Sequence, residues 1–536
     1  MQRARDRRRA LEKSGRLDGT LDQVRELLDE AIDLPQVRLA CHAGLGRIAL
    51  QSGQLAMARE QLLAALDIVE RARAALPDDE FRSAASVEGE QVHSVLVEVA
   101  LREADPAALL DDLDRGRARA LALSLPAETG ASGIEIDRTQ LGWLRDRWRA
   151  AMAEGDHLKV PALTIQIQAL EHALLESERR ARLTSPRTES ALRRPEPEMP
   201  LVQRLQRSLA PEDAFLIWHR HGEQLVACAV TAETVDYRVL ATAGLDSRLR
   251  ALRFQIDALR NRQIDVTRHR AQLMGRVKEH ASALYSQLWR PIEPMLQGRT
   301  SVVVVPHGAL HYLPFAALFD GSRWLAQTHR LSFAPSARIW CDQRTRARRL
   351  RRLPARARWG GALPHVAREI AAVAAAHPTR VDVRLDDDAT FAAWRAEAST
   401  ADILHIACHG RFRSDNPAFS YLQLSDAPLT LEDIRGSSLQ ADLVVLSACE
   451  TGLSRVAPGD ELLGMVRAFR LAGAGAVLAT LWSVEDGATA DLIADFHARL
   501  HASSSPATAL YHAQSEAAAR GAHPFHWAAF VLHGPH

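Results

Sequence analysis

The sequence predicts an α/β domain built around a mainly parallel sheet, preceded by an all-α region. Three observations lead there. From residue 201 onward, short apolar runs alternate with helical patterns, which is the signature of strands and crossover helices. Two of those runs, Ile403 to Gly410 (ILHIACHG) and Leu443 to Gly452 (LVVLSACETG), have the length and β-rich composition of buried strands. Residues 1–126, by contrast, carry helical patterns throughout.

Within residues 1–126, the segment LGRIALQSGQLAMAREQLLAAL places Leu45, Gly46, Gly53, Ala58, Leu62 and Ala65 at the spacing of a tetratricopeptide repeat. Small residues at Gly46, Ala58 and Ala65 let paired helices approach, large ones fill between them, and Gly53 falls in the turn. One repeat cannot bury its own face, so residues 20–33 and 91–125 are read as degenerate neighbours. Residues 127–200 change character: a turn-rich break, long charged helical patterns over 138–185, and a Pro-rich polar end make a helical connector and linker.

The third region, 201–536, opens with strands at Ala214 to Trp218, Leu225 to Val230 and Tyr237 to Leu240. Residues 244–290 are helical, and Ser301 to Val305 is a buried strand closed by Pro306-His307-Gly308. Then come a strand at Val381 to Arg384, a helix over 389–398, the two apolar runs above, a helix over 461–472, a strand over 476–482, two helices and a last strand within 525–533.

Bulk properties exclude several function classes. The 536 residues allow two or more domains. With 67 basic and 66 acidic residues, the net charge of +1 argues against a dedicated nucleic-acid or membrane-surface binder. Only Lys13, Lys159 and Lys278 are lysines, so the positive charge is almost all arginine. Five scattered cysteines (Cys41, Cys228, Cys341, Cys408, Cys449) suggest no disulfide framework and fit a reducing cytoplasm. No apolar segment follows the basic N-terminus and no span reaches transmembrane length, so a soluble, cytoplasmic protein without a membrane partner is expected.

The two apolar runs end at His409 and Cys449, and they read best as one site. In an open parallel sheet, chemistry gathers outside the carboxyl ends of the strands. If the runs are parallel neighbours, His409 and Cys449 emerge on the same edge. A thiol nucleophile needs that arrangement, because an adjacent imidazole must take its proton and stabilise the thiolate. Gly410 lets a carbonyl oxygen approach its backbone N–H, and that N–H with the N–H of Cys449 would form an oxyanion hole.

A strand ending in His-Gly, about 40 residues before one ending in Ser-Ala-Cys-Glu-Thr-Gly, resembles the CHAT domain, a caspase-like and separase-like cysteine peptidase module of clan CD. Val303 to Leu318, Gly459 to Ala476, Val477 to Trp482 and His523 to Gly534 resemble further CHAT segments, so the likeness covers roughly residues 200–536. Asp114 to Leu123 resembles the last helix before the linker in TPR-CHAT proteins. The resemblance implies a caspase-like α/β sandwich, a His409–Cys449 dyad, a protein substrate, no cofactor, and an activator or regulatory protein at the TPR-like region. It also implies a bacterial protein and a role in antiviral defence or programmed cell death, such as gasdermin activation.

Each feature has a bland rival. His405, Cys408, His409 and Cys449 are zinc-ligand types, but four residues of strand span about 13 Å, too far for one ion; no metal is expected, and His405 and Cys408 are read as core. His307 and His311 flank a strand end and read as loop histidines. Asp460-Glu461 open the helix over 461–472, where they cap it or charge a substrate pocket. Arg344 to Arg358 reads as a solvated loop and as a candidate self-cleavage site. Against the peptidase stands an inactive TPR scaffold on a relic CHAT fold.

Overall fold

The computed structural model describes residues 34–75, 86–115, 159–184, 199–260, 266–347, 358–360, 366–377, 382–411, 420–426, 428–447, 455–457, 461–482, 486–503 and 505–534, with a few further single residues. The chain divides into two compact units, the first built on residues 1–123 and the second on most of the remainder.

In the first unit, α1 (Pro35–Gln51) and α2 (Leu55–Ala75) form an antiparallel pair, followed by α3 (Ser86–Glu103) and α4 (Pro106–Arg115). The small residues act as the spacing predicts. A Cβ on Gly46 would stand 2.6 Å from Leu62 Cγ, so only glycine lets α1 close onto α2. Gly53 makes the turn at φ 74°, a left-handed conformation that glycine adopts without strain. Ala58, Leu62 and Ala65 are fully buried with Leu96 and Val99 of α3. Arg59 joins α2 to the end of the array, with its guanidinium 2.7 Å from the Asp112 carboxylate and 2.5 Å from that of Glu103.

The second unit includes α5 (Lys159–Thr184), whose Leu163 and Ile167 are buried with Leu144 and Ala151, and whose Thr164 hydroxyl accepts a bond from Trp148 Nε1 at 3.0 Å. Its sheet begins with an antiparallel meander, β1 (Asp213–His221), β2 (Gln224–Thr231) and β3 (Val235–Ala241). Helices α6 (Leu245–Asp257) and α7 (Val266–Leu284) lead to β4 (Ser301–Val305) and β5 (Arg330–Phe333). Next come α8 (Ala337–Ala347), β6 (Arg358–Gly360), α9 (Val366–Ala376), β7 (Val383–Leu385), α10 (Phe391–Glu397) and β8 (Ile403–Ala407). A small sheet of β9 (Gly410–Arg411), β10 (Tyr421–Gln423) and β11 (Pro428–Thr430) precedes α11 (Leu431–Arg435) and β12 (Leu443–Leu446). The chain continues through β13 (Arg455–Ala457), β14 (Glu461–Leu463), α12 (Met465–Ala472), β15 (Ala476–Thr480), α13 (Asp486–Ser503), α14 (Pro506–Ala519) and β16 (Phe530–His533).

Eleven strands form one sheet in the order β3-β2-β1-β4-β5-β16-β15-β12-β8-β6-β7. The sheet is mostly parallel, but it is two parallel blocks, because β15 and β16 pair antiparallel. The block β1-β4-β5-β16 therefore runs opposite to β15-β12-β8-β6-β7. Alternation along the strands splits the side chains between two covering layers. On one face Val302, Val304, Leu443, Val445 and Leu478 pack with Leu252, Val277, Ile493, Phe496 and Leu510 of the helices. On the other, Leu404, Ile406, Val444, Leu446 and Ala479 pack with Trp394, Ile434 and Phe469. Fully burying one such side chain contributes about 1.5–3 kcal/mol, so strands lacking polar positions are stable only when covered on both faces.

Three expectations are corrected here. The helix expected over 461–472 starts at Met465, because Gly464 is fully extended and Glu461–Leu463 is a short strand. Glu461 thus opens no helix, and the capping role read for Asp460-Glu461 falls away. The arginine run is helical at its start and a strand at its end: Arg344 lies in α8, 3.6 Å from the buried Asp213 carboxylate and stacked 5.0 Å above Trp340, and Arg358 starts β6, while residues 348–357 lie outside the described residues. The strand expected at Val381 to Arg384 runs over Val383–Leu385.

Candidate active site

The strands β8 and β12 are parallel neighbours in the register Ile403↔Leu443 through Ile406↔Leu446. The pairing carries past the strand end, since Ser447 N donates to Ile406 O at 2.9 Å. Both runs are β-rich and apolar because both their faces are covered, and each ends where the apolar pattern stops. His409 stands three residues beyond Ile406, and Cys449 three beyond Leu446, so the sequence count from the register is the same for both. Cys449 and Asp460 lie outside the described residues, as does the side chain of Glu461.

His409 is exposed at the strand end, and its carbonyl accepts from Gln423 N at 2.8 Å. That bond flanks the antiparallel pair Gly410↔Leu422, which makes it a non-hydrogen-bonded pair. The Gly410 N–H consequently faces away from β10. Cys408 and His405 are buried at 1% exposure, Cys408 among Leu404, Ile406 and Leu446, and His405 against Glu369 Oε1 at 2.8 Å. Among the described residues no group of three or more His, Cys, Asp or Glu side chains is placed to hold a metal ion.

Three residues at this edge were not singled out as site residues by the sequence. Ser447 is buried, and its hydroxyl meets no hydrogen-bond partner among the described residues. Trp482, just past β15, is buried and donates from Nε1 to Phe525 O at 3.0 Å. The Arg253 guanidinium of α6 lies 4.8 Å above the Trp482 ring. Ser447 and Trp482 carried a sequence signal, the first as the polar residue closing an apolar strand and the second as the end of the segment Val477 to Trp482. The Arg253–Trp482 contact joins positions far apart in the chain, which no local pattern registers.

His307 and His311 follow β4, whose direction is opposite to that of β8, so they stand on the other edge of the sheet and the structure does not bring them to His409. They sit in a copy of the same layout. Val304 pairs with Phe333 as Ile406 pairs with Leu446, and Ala334 N donates to Val304 O at 3.0 Å as Ser447 N does to Ile406 O. By that register His307-Gly308 correspond to His409-Gly410, and Ser336 corresponds to Cys449. Ser336 is 2% exposed, and its hydroxyl accepts from Ile339 N at 3.2 Å in the first turn of α8.

The chain is similar in part to several known proteins. Residues 278–535 match the family model of the CHAT domain. A curated relative, tetratricopeptide repeat protein 28 of Mus musculus, is 35% identical over 132 residues, covering 23% of this chain and 5% of that protein. The separase of Saccharomyces cerevisiae, solved with securin, superposes with a TM-score of 0.44 at 10% identity, over 98% of this chain and 48% of that one. The Arg-specific cysteine proteinase gingipain R superposes with a TM-score of 0.31 at 9% identity, over 48% of this chain and 67% of that one. The chain thus spans about half the length of the separase and a small fraction of the curated relative. No described helix is long and apolar enough to cross a membrane.

Proposed function

We propose that the protein is a cysteine endopeptidase of the CHAT type. The observation that supports this reading most is the shared register of β8 and β12, which gives His409 and Cys449 the same count beyond adjacent parallel strands. In the proposed reaction, His409 takes the thiol proton and the Cys449 thiolate attacks the scissile carbonyl. The electron pair moves to an oxyanion held by the N–H groups of Gly410 and Cys449, and His409 returns the proton to the leaving amine as the C–N bond breaks. Water then hydrolyses the acyl-enzyme by the same base. The orientation of the Gly410 N–H away from β10 agrees with this role. Asp460 and Glu461 are proposed to charge the substrate pocket.

The substrate class is a partner protein, and the N-terminal helical unit either holds the peptidase inactive or recruits its activator. A cytoplasmic role in bacterial antiviral defence or cell death, through cleavage of a gasdermin-like target, belongs to the same proposal.

The test is to incubate the full chain with a diverse peptide library and read new N-termini by mass spectrometry, alongside Cys449→Ala and His409→Ala. The wild type should cleave, and each variant should lose about 10³-fold or more of the rate. No cleavage by the wild type, together with no labelling of Cys449 by a thiol-reactive probe, would remove the peptidase reading and leave the scaffold. Deleting residues 1–200 should change the specific rate or its dependence on a partner; an unchanged rate on the same substrate counts against the regulatory role.

A further inference from the structure

Strand β3 ends the eleven-stranded sheet on the side of the antiparallel meander, and among the described residues no strand pairs with its outer edge. Which groups face outward follows from the ends of the β2–β3 ladder. Thr231 N donates to Thr234 O at 2.9 Å, and at the far end Thr242 N donates to Glu223 O at 3.1 Å. Hydrogen-bonded and non-hydrogen-bonded pairs alternate along an antiparallel ladder. In the register Ala229↔Asp236, Ala227↔Arg238 and Leu225↔Leu240, the even-numbered residues of β3 therefore bond to β2. Val235, Tyr237 and Val239 turn their N–H and C=O groups outward.

The side chains agree with this parity. Tyr237 N donates to Asp236 Oδ1 at 2.8 Å, and Tyr237 O accepts from Arg238 Nη1 at 2.8 Å. Arg238 Nη1 is also 2.7 Å from Asp236 Oδ2. The ion pair thus lies along the open edge and occupies the two outward groups of Tyr237, with both side chains still open to solvent. Val239 is 43% exposed, and Val235 and Tyr237 are partly exposed beside it.

An open edge is a template for another strand, and charges on it guard against a second copy when they meet their like. Here they meet their opposites. The stretch Val235-Asp236-Tyr237-Arg238-Val239 is its own complement in an antiparallel pairing centred on Tyr237, which sets Val235 opposite Val239, Asp236 opposite Arg238 and Tyr237 opposite itself. The parity fits as well. The odd-numbered residues form the hydrogen-bonded pairs, and Asp236 meets Arg238 at the closer, non-hydrogen-bonded positions, where Cα atoms stand about 4.5 Å apart. A one-residue shift would set outward groups against inward ones. A two-residue shift would set Asp236 against Asp236 or Arg238 against Arg238.

We propose that β3 is a dimerisation edge whose occupant is β3 of a second copy of this chain, antiparallel about a two-fold axis at Tyr237. In that pairing the Tyr237 N–H and C=O pass from Asp236 and Arg238 to the partner's Tyr237. The freed Asp236 carboxylate turns to the partner's Arg238, and the Arg238 guanidinium to the partner's Asp236. Val235 and Val239 gain the backbone bonds that the open edge lacks. The contact is isologous and closed, so it stops at two chains and joins their sheets into one. It is independent of the peptidase reading.

The test is sedimentation velocity of the full chain over a concentration series. The wild type should pass from a 59.1 kDa species to one of twice that mass as concentration rises. Asp236→Arg and Arg238→Asp each set like charges opposite one another on both sides of the axis, and each alone should raise the dimer dissociation constant by about 10-fold or more. An equimolar mixture of the two should dimerise as the wild type does, because every arginine of one variant then meets an aspartate of the other. Val239→Pro removes an outward N–H and none that bonds β2, so an open edge tolerates it and the variant should stay monomeric. A wild type that remains a single chain at every concentration, as an edge reserved for a strand of another protein would leave it, overturns the proposal. So does a Val239→Pro chain that dimerises like the wild type, or a mixture of two folded charge variants that does not associate.

Discussion

Replacing Gly475 by alanine adds a single methyl group where two strands of the block containing β8 and β12 meet. Gly475 N donates to Ala441 O at 2.7 Å and Ala476 N to Asp442 O at 2.8 Å, which seats β15 against β12. A Cβ on Gly475 would stand 2.6 Å from Asp442 O and 3.1 Å from Asp442 Cα, all of it backbone that cannot rotate away. Reaching ordinary contact near 3.4 Å means a shift of roughly 0.8 Å, which stretches both bonds out of range. Two backbone bonds at about 1 kcal/mol each, plus disturbed packing around the fully buried Val477 and Leu478, give a loss of about 2–3 kcal/mol. The same substitution at Gly275, inside α7 with no atom within 4 Å of its would-be Cβ, should instead stabilise by up to about 1 kcal/mol through helix propensity. Urea unfolding of the full chain, followed by tryptophan fluorescence, measures both. A Gly475→Ala midpoint within about 0.5 kcal/mol of wild type, or equal loss from both substitutions, would refute the steric argument.

Two further outcomes concern charge. Burial pushes the Asp112 carboxyl up to about 6 against the pull of Arg59, so whatever it adds to stability is lost as pH rises through about 6. Without Arg59 the buried Asp112 carboxyl rises further, so Arg59→Met should destabilise by about 3 kcal/mol at pH 7, where the carboxyl must be buried unpaired or take up a proton against its unfolded state, and by less at pH 5; equal losses at the two values in urea unfolding would contradict this. Burial, with His311 and Arg470 nearby, holds the His533 imidazole down to about 3. The unfolded chain then binds the extra proton between about 6.5 and 3, so stability falls as pH drops through that window, and His533→Gln should flatten the fall; identical pH slopes for variant and wild type would refute it.

Much of the second unit was legible because its central strands lie covered on both faces. β4, β8, β12 and β15 are continuous apolar runs, and their pattern alone gives their place. The strands that escaped were short or charged. β5 is the four-residue Arg330–Phe333 with an arginine at its start, and β6 is three residues at the end of an arginine run. Such segments become strands only because a neighbour supplies the ladder. At the site, His409 and Gly410 were readable as the stop of an apolar run. The contacts that link Glu369, His405, His497 and His377 were not, since they join three elements that meet only in space.

Strand direction was the other quantity hidden from the pattern, because periodicity is blind to polarity along the chain. The antiparallel junction of β15 and β16 gives the sheet two edges built to one plan. At the first, His307 Nδ1 accepts from Arg220 N at 3.2 Å and the Ser336 hydroxyl accepts from Ile339 N, so both groups serve the backbone around them. At the second, His409 is exposed, and the residue at the Ser336 position is a cysteine. A hydroxyl at a helix start is consumed by capping, since it accepts well from backbone N–H groups, whereas a thiol is a poor cap and a far better nucleophile near neutral pH. One register thus supports opposite outcomes, and the choice of serine or cysteine three residues past the strand separates the edge that holds the fold from the edge proposed to act.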